Sequence, residues 1–179
     1  SKQPGATPCM VWMAPEGPTK GILVCVHGLG LHKGCYRQFA ERMTKLGWGL
    51  YAVDVRGFGS FMTMPKGARH VDFEGCMGDV REAIELVRQT HPGMPVYLVG
   101  ESMGGGIAFQ AASRYADMVN GVISACPASK RQKSMSAAVR VGANLLTGKH
   151  HMDIKPILVN QSTQKEELRQ TWLHDPLGR

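Results

Sequence analysis

Gly100, Ser102 and Gly104 stand at the spacing a nucleophilic serine requires. Such a serine projects from a sharp turn between a strand and a helix, with its hydroxyl exposed and its backbone strained. Side chains two positions before and after it would collide with the neighbouring strand and helix, and glycine removes them. The flanking sequence supplies that setting. Pro95-Val-Tyr-Leu-Val99 is a short apolar run bounded by Pro and Gly, which reads as a buried strand. From Met103 onward Ala108, Ala111 and Ala112 give helix-forming spacing, with Phe109 among them. The helix N-terminus then faces the site where negative charge develops in acyl transfer. A plainer reading, a Gly-rich turn that happens to hold a serine, leaves the strand before it and the small-residue helix after it as coincidence.

The elements that must position this turn come in alternation. Cys9 to Met13 reads as a short strand and Gly21 to Val26 as a central strand, its continuous apolar run suited to burial on both faces. That strand ends in His27-Gly28-Leu29-Gly30. Tyr36 to Leu46 reads as a helix with Phe39, Ala40, Met43 and Leu46 on its apolar side. Gly49 to Val55 is the next strand, ending in Asp54-Val55-Arg56-Gly57-Phe58-Gly59-Ser60. Phe73 to Gln89 is helical, with Met77, Val80, Ala83, Ile84 and Val87 at core spacing. Gly121 to Ala125 is a further strand, closed by Cys126-Pro127. Strand and helix alternating over short connections predict a parallel sheet covered on both faces by helices. Ligands bind such sheets at the carboxyl ends of the strands, where all three glycine-bearing turns fall.

After Pro127 the alternation stops. Ala128 to Gly148 reads as an amphipathic helix, and a polar helix follows near Gln164 to Trp172. The expected division is therefore a core over residues 1–128 and a cap or lid over residues 129–179. Charge follows the same division. Residues 1–128 carry 12 Lys/Arg against 10 Asp/Glu, and residues 129–179 carry 9 against 4. A basic final third suits either a solvated face that favours solubility or contact with an anionic surface such as a peripheral membrane face. No nucleic-acid motif accompanies it, so nucleic acid is not an expected partner. Hydrophobic residues at 43% and charged residues at 20% are ordinary for a soluble globular domain, and 179 residues suffice for one real core. No run is long enough to span a membrane. Five cysteines without a pairing or CxxC pattern argue against a disulfide framework and favour a reducing, cytoplasmic compartment. The opening Ser1-Lys2, with no initiator Met and no visible signal peptide, reads as a processed or trimmed form.

The stretches GILVCVHGLGLHKGCYRQFAERM, GLYAVDVRGFGS, PVYLVGESMGGGIAFQAA and GVISACPA, with the closing HDPLGR, together resemble the α/β-hydrolase superfamily. The likeness is to its monoacylglycerol lipase and lysophospholipase branch, of serine aminopeptidase type. It covers the chain from about Met10 onward. The resemblance implies a three-layer α/β-hydrolase fold, a mostly parallel sheet with helices on both faces, plus a helical cap. It implies an acyl-enzyme on Ser102, with oxyanion donors at the backbone N–H of Met103 and of Leu29. The implied substrate is a small acyl ester, lipid-like, and no cofactor is implied. Acyltransferase, thioesterase and peptidase chemistry on the same serine stay open, as does a non-catalytic module.

The same resemblance makes His27 a loop-shaping residue and the Asp54-Arg56-Gly57 turn a brace for its strand end. Glu101 points away from the serine if the turn is sharp. A serine needs a base, and the expected chain order is Ser, then Asp or Glu, then His. After Ser102 come Asp117, Asp153 and Asp175, with His150, His151 and His174, and none follows an apolar strand. His174-Asp175 is adjacent and in reversed order. His150, His151 and Asp153 raise a metal site only weakly, so no metal is expected, and a solvated polar cap accounts for these residues. A complete fold of this kind with a cap needs roughly 250 residues. The expectation is that the last strands, with the acid and the histidine, belong either to chain beyond residue 179 or to another chain.

Overall fold

Five strands build one sheet in the order β1-β3-β2-β4-β5: β1 (Cys9–Trp12), β2 (Gly21–Val26), β3 (Trp48–Val53), β4 (Val96–Glu101) and β5 (Gly121–Ala125). The computed structural model describes residues 7–15, 17–64, 71–127, 159, 164–176 and 178. β1 runs antiparallel to β3, and the other pairings are parallel. Among the described residues lie the helices α1 (Arg37–Lys45), α2 (Phe73–Thr90), α3 (Met103–Arg114) and α4 (Glu166–Leu173).

The apolar run that marks β2 is buried at all six positions. Its side chains alternate between two cores. Ile22, Val24 and Val26 join Met77, Val80 and Ile84 of α2 and Ile107, Ala108 and Ala111 of α3. Leu23 and Cys25 face the other way, toward Tyr36 and Ala40 at α1. The sheet is therefore the middle of three layers, as the strand-helix alternation predicts, and this is the arrangement that the resemblance to α/β-hydrolases implies.

Local chemistry sets the helix ends. The Asp72 carboxylate accepts from the Gly75 N–H at 3.0 Å and caps α2. Beyond α1, Gly47 sits at φ +86° and its N–H reaches the Thr44 carbonyl at 3.0 Å. The helix expected from Tyr36 to Leu46 is α1, one residue shorter at each end, and a 3-10 turn over Lys33–Tyr36 leads into it. Ala40 of the expected apolar side is buried, whereas Phe39 and Leu46 are exposed, because the face that meets the sheet runs through Tyr36, Ala40 and Met43. The polar helix expected near Gln164 to Trp172 is α4, two residues later at its start. The amphipathic helix expected over 128–148 lies outside the described residues.

β2 and β4 are neighbours whose exits diverge. β2 leads through α1 to β3, and β4 leads through α3 to β5, with α1 and α3 on opposite faces. This is a topological switch point, and the His27-Gly28-Leu29-Gly30 turn and Ser102 stand at its two strand ends. No described helix is long and apolar enough to cross a membrane. All five cysteines are free.

Candidate active site

Ser102 follows the last residue of β4 and precedes the first residue of α3, at φ +53° and ψ −118°. A non-glycine residue there is strained by about 1–3 kcal/mol and needs surroundings that hold it. Those surroundings are present. The Ser102 N–H donates to the Ala125 carbonyl at the end of β5 at 2.9 Å, and the Ser102 carbonyl accepts from Gly106 N–H at 3.1 Å. The Ser124 hydroxyl donates to the Gly105 carbonyl at 2.9 Å. Strand, turn and helix are thereby locked to β5.

The two glycines around the serine are sterically required. A Cβ on Gly100 would overlap the Gly104 carbonyl, and a Cβ on Gly104 would overlap the carbonyl oxygens of Val26 and His27. The obstacles are backbone atoms, which cannot swing aside. Gly104→Ala should therefore destabilise the protein by about 1–3 kcal/mol, despite the better helix propensity of alanine. Gly78→Ala in α2 is the matched control, since a Cβ there meets nothing within 4 Å. It should stabilise by about 0.5–1 kcal/mol. Urea unfolding of the two variants beside the parent measures both signs.

Met103 is the first residue of α3, where a backbone N–H has no intrahelical partner. Leu29 lies in the turn after β2, with Gly30 at φ +78° and Leu31 N–H closing onto the Gly28 carbonyl at 3.2 Å. No acceptor among the described residues takes the N–H of Met103 or of Leu29. The turn packs directly on the serine: a Cβ built on Gly28 would stand 3.6 Å from Ser102 Cβ. The three residues expected to form the site are thus brought together by two turns at neighbouring strand ends.

His27 is wholly buried, and both ring nitrogens are engaged. Nδ1 donates to the Gly28 carbonyl at 2.9 Å, while Nε2 accepts from Val55 N–H at 3.3 Å. Burial pushes its pKa down, so the ring stays neutral and ties the ends of β2 and β3 together. Asp54 is equally buried. One carboxylate oxygen accepts from Lys33 N–H at 2.7 Å, and the other takes Ser60 N–H at 2.8 Å together with the Lys33 ammonium. Burial alone would raise the Asp54 pKa; the bonds from Lys33 and Ser60 outweigh it and hold the carboxyl below its ordinary value. Arg56 grips Asp79 of α2 through its guanidinium and its backbone N–H. These contacts brace the loops and leave neither His27 nor Asp54 a free group to offer the serine.

Among the described residues nothing hydrogen-bonds the Ser102 hydroxyl. Asp117 is exposed beyond the end of α3, and His174 Nδ1 is turned to the Gln170 carbonyl of its own helix at 2.8 Å. His150, His151 and Asp153 lie outside the described residues. Asp175 is not the solvated residue expected: its carboxylate meets His32 Nε2 at 2.6 Å, joining positions 143 apart in sequence. No local pattern marks His32 and Asp175 as partners, since only the fold brings the first loop and the end of α4 together. Glu101 is exposed and lines a cavity of about 300 Å³ with Leu31, Tyr36, Phe39, Val99 and Trp172. Ser102 is not in its wall, but Gly100 and Glu101 are.

A family model described as serine aminopeptidase, S33 matches residues 17–178. The monoacylglycerol lipase of Mycolicibacterium smegmatis is 30% identical over 139 residues, which is 76% of this chain and 48% of that protein. The monoglyceride lipase of Homo sapiens is 35% identical over 107 residues, 59% of this chain and 34% of that protein. The crystal structure of Paleococcus ferrophilus monoacylglycerol lipase superposes with a TM-score of 0.70 at 26% identity, covering 97% of this chain and 64% of that one. The chain thus spans about half the length, or less, of these curated relatives. Its sheet order, its glycine-flanked serine turn and the match over nearly its whole length agree, and the chain belongs to the serine aminopeptidase S33 family of α/β-hydrolases, with monoacylglycerol lipases among its relatives.

Proposed function

We propose that the protein is a serine hydrolase that cleaves carboxylic esters, lipid-like monoesters of the monoacylglycerol or lysophospholipid type, through an acyl-enzyme on Ser102. The observation that carries this reading is the strained, braced backbone of Ser102 at the head of α3, with the Gly28–Gly30 turn packed against it. In the reaction the Ser102 oxygen attacks the ester carbonyl carbon and its proton passes to a general base. The oxyanion so formed accepts from the N–H of Met103 and of Leu29. The alcohol leaves with a proton, and water then releases the acid from the serine. The base and its acid partner come from residues other than those described. The excess of Lys and Arg over residues 129–179 supports contact of that segment with an anionic lipid surface, the alternative being a solvated basic face.

A second reading, a binding module that keeps the fold without catalysis, draws on the lack of a partner for the Ser102 hydroxyl among the described residues. Turnover assays on the full-length protein separate the readings. A long-chain monoacylglycerol should be hydrolysed fastest, ahead of an acyl thioester and an aminoacyl amide. Preference for the amide would move the assignment to a peptidase. No turnover of any acyl compound, in protein shown to be folded, would favour the binding module.

A further inference from the structure

The Leu29 N–H can serve an oxyanion only if its turn is held still. Four anchors surround that turn: His27 on its strand side, Lys33 on Asp54, Tyr36 Oη on the Val26 carbonyl at 2.8 Å, and His32 on Asp175. The first three join residues at the ends of β2 and β3 and in the turn after β2. The fourth comes from the segment that carries α4. His32 stands three residues after Leu29 and caps the 3-10 turn that follows, its Nδ1 accepting from Gly34 N–H at 3.1 Å. That acceptor role places the proton on Nε2, which donates to the Asp175 carboxylate at 2.6 Å. Both side chains are largely sheltered, at 15% and 27% exposed, so water competes little for the contact. Asp175 thus fixes the ring's tautomer and orientation, and the ring fixes the path of the loop that leaves Leu29.

We infer that His32 and Asp175 are a positioning pair that holds the Leu29 donor turn in its oxyanion-binding geometry and ties that geometry to the placement of α4. This rests on the hydrolase reading given above. A group that orients an oxyanion donor acts in the transition state and leaves substrate binding nearly untouched.

The test uses full-length protein, with the active fraction counted by fluorophosphonate labelling taken to completion. His32→Asn keeps the cap to Gly34 but cannot reach Asp175, and Asp175→Ala removes the acceptor. Each should lower kcat on a soluble ester by about tenfold, less than the 10²–10³ seen when an oxyanion donor is deleted outright. KM should stay within about twofold, and affinity for a trifluoromethyl ketone, which mimics the oxyanion, should fall with kcat. Asp175→Asn keeps a neutral acceptor for Nε2–H and should recover most of the activity. Melting temperature alone would fall if the pair were only structural. If kcat per labelled site and trifluoromethyl ketone affinity are unchanged in both His32→Asn and Asp175→Ala, the inference is overturned while the hydrolase reading stands. A wild-type protein that turns over no ester and takes no label at Ser102 overturns both.

Discussion

Ser102→Ala in the full-length protein should reduce ester turnover on the order of 10⁶-fold, about 8 kcal/mol of transition-state stabilisation. The size of the effect follows from the chemistry. Without the hydroxyl there is no acyl-enzyme, and only the oxyanion donors and substrate binding remain to assist direct attack by water. The fold should not suffer, because alanine keeps the backbone that β5 braces through the Ala125 carbonyl. Ser102→Gly sharpens the case. At φ +53° glycine escapes a strain that serine and alanine share, so this variant should be more stable than the wild type by about 1 kcal/mol while equally inactive. Activity on a soluble ester and a urea midpoint, read from the same preparations, check the pair. A residue strained for no function would gain stability in the glycine variant without losing turnover.

Asp54→Asn should destabilise the fold by about 3–5 kcal/mol. The carboxylate is fully buried and takes Lys33 N–H, the Lys33 ammonium and Ser60 N–H. An amide turned to satisfy Lys33 N–H presents its own NH₂ to the other two donors. The Lys33 ammonium, itself largely sheltered, is left without its counter-charge. The same geometry sets a pH dependence. The Asp54 pKa is lowered by folding, so its contribution is complete above its ordinary value of 3.8 and is lost as pH falls from there through the folded value. The gap in stability between wild type and Asp54→Asn should therefore be constant near neutrality and narrow below pH 3.8. Urea titrations of both proteins across that range measure it, and a gap that widens on acidification would contradict the assignment.

Much of the fold and of the serine turn is legible in the residues themselves. The continuous apolar run from Gly21 to Val26 suits a strand buried on both faces, and it is one. The five core positions of α2, from Met77 to Val87, follow from helical period alone and are all buried. Gly100 and Gly104 stand where a serine turn tolerates no side chain, and backbone atoms occupy the space their Cβ atoms would need. The contacts that are not legible share one property: each joins residues whose nearness depends on which loops the strand order brings together. Lys33 with Asp54, Arg56 with Asp79 and His32 with Asp175 carry no local spacing signal, since their partners lie 21, 23 and 143 residues away. Phe39 and Leu46 fit an apolar stripe by period yet stay partly exposed, because the face that meets the sheet runs through Tyr36, Ala40 and Met43, Phe39 lines the cavity beside it, and Leu46 lies past the last helical residue of α1.

The central claim is that Ser102 is the nucleophile of an acyl-transfer site. Peptide mass spectrometry of the full-length protein after fluorophosphonate treatment tests it most directly. One adduct is expected, on the peptide carrying Ser102, absent from Ser102→Ala and accompanied by loss of ester turnover. Ester hydrolysis that survives treatment, or an adduct on a different residue that tracks the loss of activity, would contradict it.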